Sequence, residues 1–499
     1  MIQAGTGELS FEYAPRLTVF QLDRMNIGSA LTGNFAKDIS VTQNTINLGN
    51  QLMFLGIIVL EIPSNMLLQK IGPGKWITAQ VFIFGLIATL QIFIHNRAGF
   101  LVTRSLLGLA EAGYIPGSIY TLSTWYTRRE LAKRVAILFF GMFGGNAISP
   151  LLGAGILRLD GKRGLTGWQW IFLIEGVWTI FVSCLLLLML PGSPDDPRPL
   201  LHKGFIIRFS EEDKAILRRR LERDDNEKNN GAEGMDIPFK VVWKTLRNYR
   251  RWPHYLSTAF VFSTWSPLTT YTPSIMVSLG FDRIRANAIA AIGAFLALPV
   301  VFFFAWLSDR TGKRGMAVIV AISCYLIVLI VARTVQPQVL GRQWSQVGLW
   351  IAVNAFAVGY HPIHNTWVQL NCKEPTERSI AIAMCKRWVM SAIAGLMAGT
   401  QIFRGGDGPF YNTGLLIMII LVASGLGIAI LQELIYAGLN AQAKRAPAGP
   451  VLLFSMMGTQ HAQILQGHFN GVELVIYCSK LYDFRHEDAS LLEFFAMVS

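Results

Sequence analysis

Apolar runs long enough to cross about 30 Å of hydrocarbon recur along most of this chain. No other feature constrains the fold so strongly, because a backbone in lipid must satisfy its own hydrogen bonds and so becomes a helix or a closed barrel. The runs lie near 51–69, 76–94, 100–125, 134–157 and 169–190, then near 254–279, 285–307, 315–335, 345–369, 379–403 and 412–436. Their length predicts helices, not strands, and the reading is an all-α multi-pass membrane protein with about twelve spans. Of the 499 residues 52% are hydrophobic and only 15% charged, against about 25% charged in a soluble protein.

The missing member of the first six spans belongs near 14–34. It is weak, because Ala14, Pro15 and Arg16 leave little apolar sequence before Asp23 and Arg24. A full span needs about ten more apolar residues on that side. The expectation is either a short first helix that depends on its neighbours or a chain start that is incomplete, the second being favoured. Residues 1–15 lack the basic start and apolar core of a cleavable signal.

Net charge is +13, and its placement sets orientation. Lys70 to Lys75, Arg128 to Arg134, Asp309 to Arg314 and the loop 191–250 follow even-numbered spans. The excess of Lys and Arg makes those loops cytoplasmic and puts the N-terminus inside. Basic residues spread between apolar spans argue against a nucleic-acid partner. Five cysteines without metal-ligand spacing argue against a disulfide scaffold or a metal centre.

The organisation reads as a six-helix half over 1–190, a cytoplasmic central loop over 191–250, a second six-helix half over 251–440 and an atypical tail over 441–499. Pro191, Pro194 and Pro197 stop the sixth span. Ser210 with Glu211, Glu212 and Asp213 caps a short polar helix. A weak internal echo links the halves: the basic, glycine-containing turn Lys70 to Lys75 and the turn Ser308 to Arg314 occupy matching places. Repeats of this kind are common in secondary transporters.

Arg104, Gly108 and Glu111 fall at i, i+4 and i+7 inside the fourth span, so they share one face. Charges on lipid-facing positions cost several kcal/mol; this stripe is expected to face a polar pathway or a partner. Burial raises a carboxyl pKa and a neighbouring guanidinium lowers it, which suits a group that binds and releases a proton beside an arginine, Arg104, expected to attract and bind the substrate anion. The competing reading is a static Arg104–Glu111 pair between helices.

The motifs Leu22 to Gly28, Glu61 to Asn65, Arg104 to Gly113 with Pro116 and Gly117, Trp168 to Gly176, and Ser308 to Arg314 together resemble the major facilitator superfamily. Within it they are similar to the anion:cation symporters, in particular the fungal allantoate and nicotinate permease-like branch. The resemblance covers about residues 16–440 and implies the major facilitator fold of two six-helix halves. It implies proton coupling at Glu111 and Asp23, with Arg104 linked to Glu111. It also implies that Arg24 holds a substrate carboxylate and that Asn26 belongs to the same motif. Three departures are visible: the short lead-in of the first helix, no acidic residue in the turn after the second span, and a tail beyond Arg445 that resembles nothing in the family. An altered exon boundary would account for that tail.

Other polar groups inside spans extend the candidate site. His361, His364 and Asn365 sit on one face of the tenth span and Tyr271 in the seventh; they read as cavity-lining groups that select substrate. Two histidines three apart lack the further ligands a metal needs, so no metal and no cofactor are expected. Asn65 reads as a packing and gating group, and Asp309, Arg310 and Arg314 as a cytoplasmic gate or, equally, a solvated loop. No nucleophile elbow, phosphate loop or zinc signature appears, so the chain is not expected to be an enzyme.

The functional expectation is proton-coupled uptake of a small organic anion by alternating access, by a monomer in the plasma membrane. Its partners are then the anion, protons and the bilayer. The alternatives are an uncoupled facilitator or exporter of a secondary metabolite, and a non-transporting sensor or remnant.

Overall fold

The computed structural model describes residues 24–126, 128–189, 215, 219, 252–336, 342–370, 385–445, 463–469 and 472–478. In the first half, α1 covers 24–32 and the short α2 is Phe35–Asp38. Then follow α3 Gln43–Ile71, α4 Pro73–Leu90, α5 Arg97–Glu111, α6 Tyr114–Trp125, α7 Arg128–Ile156 and α8 Gly167–Met189. In the second half come α9 Trp252–Ser263, α10 Trp265–Ser278, α11 Arg283–Thr311 and α12 Arg314–Val335. These lead to α13 Gln343–Phe356, α14 His361–Leu370, α15 Cys385–Gly399 and α16 Asn412–Arg445.

Seven helices among the described residues are long and apolar enough to cross a membrane on their own. Three further crossings consist of two stacked helices: α5 with α6, α9 with α10, and α13 with α14. Here the structure differs from the unbroken spans expected over 100–125, 254–279 and 345–369. Gly113, at φ 79°, breaks the first. A Cβ there would also come within 2.7 Å of Ser64 Oγ and 2.9 Å of Asn65 Nδ2, so both the dihedral and the space call for glycine. Broken helices are tolerated inside a membrane where protein groups satisfy the freed backbone. Gln80 of α4 does so: its Nε2 donates to the Ala112 carbonyl at 2.8 Å and approaches the Ala110 carbonyl at 3.3 Å. The first helix is mostly buried, with Asn26, Ile27, Ser29 and Ala30 at 3% exposure or less.

Helix ends follow sequence. Thr42 caps α3, Asn96 caps α5 and Asp282 caps α11, each accepting a backbone N–H in the first turn. Pro73 opens α4 after Gly72, where its missing N–H is harmless.

Small residues let helices approach closely, as membrane packing favours. A Cβ at Gly108 would overlap the Met53 carbonyl, fixing α5 on α3. In the second half, Cβ atoms at Gly395 and Gly399 would overlap the carbonyls of Ala259 and Ser263, fixing α15 on α9. Outward faces carry Val59, Leu86, Phe303 and Ile327, all more than a third exposed. In the tail, expected to be irregular, Gln463–Phe469 (β1) pairs antiparallel with Val472–Cys478 (β2).

Candidate functional site

Between the halves lies a cavity. The first half supplies Arg24 from α1, Ile57 and Glu61 from α3, and Glu111 with Tyr114 from either side of the break. The second half supplies Phe262 from α9, Trp265 from α10, His361 from α14 and Ile393 with Leu396 from α15. Among the described residues, the charged side chains on this wall come from the first half, whereas the second half faces them with aromatic and aliphatic groups.

Glu111 ends α5 at the break. It is 2% exposed and both its carboxyl oxygens lack a hydrogen-bonding partner among the described residues. Arg24 and Arg104 both attract it electrostatically. Burial opposes charge on the carboxyl, and the two guanidiniums favour it. The break therefore holds a buried acid that two guanidiniums attract.

Arg24 is 8% exposed and its Nε and Nη2 atoms have no partner among the described residues. Those atoms form one edge of the guanidinium, the fork that receives a carboxylate through two parallel hydrogen bonds. The group lies over the Phe54 ring, 4.6 Å from its centroid, which steadies it from beneath.

Arg104 is fully buried, with Nη1 3.8 Å from Met53 Sδ and its guanidinium 5.8 Å from the Phe100 centroid. It does not line the cavity. The Arg104, Gly108 and Glu111 stripe is nevertheless the buried face of α5, together with Phe100 and Leu107. Glu61 lines the cavity, and Asn65 Nδ2 donates to the Glu61 carbonyl at 2.7 Å. Asn26 is buried beside Arg24 in sequence, and its side-chain amide has no partner among the described residues. Asp23 lies outside the described residues.

In the second half, His361 stacks on Phe262 with centroids 4.3 Å apart. His364 turns elsewhere: its Nε2 is 3.2 Å from His254 Nδ1, and His254 Nε2 is 2.8 Å from Tyr436 Oη. That hydrogen-bonded row ties α14 to α9 and α16. Asn365 is half-buried on α14. Asp309 and Arg314 are 3.5 Å apart and Arg310 lies over Trp306, so these contacts all stay near the turn between α11 and α12.

Tyr271 belongs to a seam that joins the halves at one end of the bundle. Its hydroxyl donates to Asn47 Oδ1, and Asn47 Nδ2 donates to the Phe403 carbonyl at 2.8 Å. Gln43 Nε2 donates to Tyr411 Oη at 3.0 Å, and Gln401 Nε2 to Gln51 Oε1 at 3.2 Å. Phe403 and Tyr411 stack at 4.3 Å beneath them. Further out, Arg283 pairs with Asp160 at 2.8 Å and Asn287 Nδ2 donates to Thr32 Oγ1 at 2.7 Å. Arg283 holds the Asp160 carboxyl below its ordinary value, and the Gly167 N–H adds to the effect. All these bonds lie at the start of α3 and the ends that face it. Along α3, Glu61 stands about 27 Å beyond Gln43, about 21 Å beyond Asn47 and about 15 Å beyond Gln51, at 1.5 Å per residue. The cavity is therefore nearer the opposite end, the one with Lys70 and Arg314.

Sequence reasoning missed Gln80, Asn47, His254 and the Phe262–Trp265 wall. The signal for Asn47 was present: Asn44, Asn47, Asn50 and Gln51 interrupt an apolar run, and intramembrane polar groups seek partners.

A family model described as Major Facilitator Superfamily matches residues 17–399. An uncharacterized transporter of Saccharomyces cerevisiae is 27% identical over 420 residues, covering 84% of this chain and 76% of that relative. A putative tartrate transporter of Agrobacterium vitis is 31% identical over 305 residues, covering 60% of this chain and 63% of the relative. A bacterial homolog of the human lysosomal transporter Spinster, solved inward-facing and unoccupied, has the same fold: TM-score 0.61, 16% identity, 86% of this chain and 96% of that one.

Proposed function

The chain belongs to the Major Facilitator Superfamily and is a multi-pass membrane transporter, and from that premise we propose that it moves a small organic anion together with protons by alternating access. The observation that carries this reading is Glu111: a buried carboxyl with no hydrogen-bonding partner among the described residues, at a helix break, on the same cavity wall as the open fork of Arg24. The fork receives the carboxylate of the substrate. Arrival of that negative charge draws on the guanidinium that Glu111 otherwise shares, so anion binding and protonation of Glu111 favour each other. Arg104, behind the wall, keeps the local potential positive. The likeness to a putative tartrate transporter supports an organic anion as cargo.

The finer assignment is uptake across the plasma membrane by a monomer. The basic turns at Lys70 and Arg314 then face the cytoplasm, and the seam of Asn47, Tyr271, Gln43 and Tyr411 closes the outer end. His361 shapes the substrate's surroundings directly, Asn26, His364 and Asn365 do so from behind the wall, and Asp23 serves as a further proton site. Asn65, Asp309, Arg310 and Arg314 act in gating at the cytoplasmic end. No metal or cofactor is needed for this cycle.

The test is Glu111→Gln in proteoliposomes. A neutral amide of the same shape is expected to abolish accumulation driven by a pH gradient while substrate exchange continues. Gradient-driven accumulation that survives the substitution removes Glu111 from the coupling role.

A further inference from the structure

At the outer seam one residue holds an unfavourable backbone. Tyr411, directly before α16, has φ 50°. That left-handed region is disfavoured for a residue with a bulky side chain, by about fivefold to thirtyfold in population. The helix start does not demand it, because a residue in this place ordinarily takes an extended backbone. Nor does the start of α16 depend on Tyr411 for its cap. Asp407 Oδ1 accepts from the Thr413 N–H at 3.1 Å and Asp407 Oδ2 from the Gly414 N–H at 2.7 Å. Strain of this kind persists only where the surroundings enforce it.

The enforcing contacts come from both halves. Within the second half, the Tyr411 ring stacks on Phe403 with planes 7° apart. From the first half, α3 clamps both rings' residues. Gln43 Nε2 donates to Tyr411 Oη at 3.0 Å and approaches the Phe403 carbonyl at 3.3 Å, and Asn47 Nδ2 donates to that same carbonyl at 2.8 Å. Tyr411 is 6% exposed and Phe403 is fully buried, so the stacked pair is enclosed while α3 is in place. If α3 withdraws, the bonds that hold the pair from the first half break together.

We propose that Tyr411 is a spring loaded by closure of the outer end. Its backbone is forced left-handed when Gln43 and Asn47 close on the Phe403–Tyr411 stack, and it relaxes to an extended backbone when the halves part there. The stored strain offsets part of what the seam's hydrogen bonds contribute, so the closed end remains releasable. This rests on the alternating-access reading above and deepens it.

The experiment compares Tyr411→Gly with Tyr411→Ala in the full chain. Both lack the ring and the hydroxyl, but glycine takes a positive φ without strain. Spin labels at Lys37→Cys on the first half and Ser278→Cys on the second, both exposed at the seam end, report the open fraction with no substrate present. The five native cysteines are replaced by serine in every sample. Tyr411→Gly is expected to open at least about fivefold less than Tyr411→Ala. Tyr411→Asn, which tolerates left-handed backbone better than alanine, should fall between them. Tyr411→Phe keeps the ring and the strain but loses the bonds to Gln43, and should open roughly fivefold more than the parent. Equal open fractions in the glycine, asparagine and alanine variants, or the reverse order, overturn the proposal and leave alternating access intact. A single closed distance in every variant, Asn47→Ala included, overturns the proposal together with the reading of an outer end that moves.

Discussion

The two halves of this molecule share an architecture and divide the chemistry. In the first, Arg24, Glu61 and Glu111 reach the cavity and Arg104 stands behind them. In the second, the matching wall is Phe262, Trp265, His361 and Ile393, and its polar groups pair with one another away from the cavity, as His254 does with His364 and Tyr436. Both halves use glycines to bring helices together, Gly108 on Met53 in one and Gly395 on Ala259 in the other. The lesson is that a duplicated scaffold tolerates divergence in what it presents while packing is kept. Among the described residues, one half holds the charged groups of the cavity wall; the other supplies its aromatic and aliphatic surface.

The sharpest way to break this division is Arg24→Ala. Truncating one partner of a buried charge-assisted contact costs about 2–5 kcal/mol, so apparent substrate affinity in an uptake assay is expected to fall roughly thirtyfold or more. Near-normal affinity in that variant places the anion elsewhere.

A smaller effect is expected at the seam. Asp160 and Arg283 are each about a third exposed, 31% and 32% for Arg283 and Asp160 respectively. Such pairs contribute about 0–1 kcal/mol. Because Arg283 holds the Asp160 carboxyl below the ordinary 3.8, the pair contributes fully above that value. The contribution fades as pH falls through the lowered one. Acidification on that side should therefore shift the closed end toward opening by at most about fivefold. Spin-label distances across the seam measure the shift, and Asp160→Asn should remove the part of it due to this pair.

An effect between these two is expected from His361→Phe, which keeps a flat ring on Phe262. Phe is larger than His, and added volume at a packed site costs about 1–3 kcal/mol, read as a modest change in substrate affinity. A loss as large as that of Arg24→Ala shows His361 acting as a polar contact and ends the comparison of a charged wall with a neutral one.

Much of the fold was legible because lipid leaves the backbone few choices. Apolar length gave the crossings, and Thr42, Asn96 and Asp282 at helix starts are ordinary capping residues. The buried stripe of Arg104, Gly108 and Glu111 was legible from helical spacing alone. The break at Gly113 was not, because an apolar run with glycines at 108, 113 and 117 reads equally well as a continuous span. What decides it is Gln80, thirty-two residues away from the Ala112 carbonyl it serves. The seam was still less legible: Asn47 and Tyr271 are 224 residues apart in sequence, and neither carries a local sign of its partner. Nor did helical spacing separate His361 from His364, three residues along one face. Their different surroundings come from Phe262 on one side and His254 on the other.

The most direct test of the central claim uses Ala392→Cys, a substitution by a small side chain on the cavity wall contributed by α15. In sealed vesicles of known sidedness, a membrane-impermeant thiol reagent is applied from each side in turn. A wet cavity between moving halves predicts labelling that substrate slows and that changes side when the Asn47–Tyr271 seam is loosened. A cysteine that stays unreactive from both sides, with the protein folded and transporting, would contradict it.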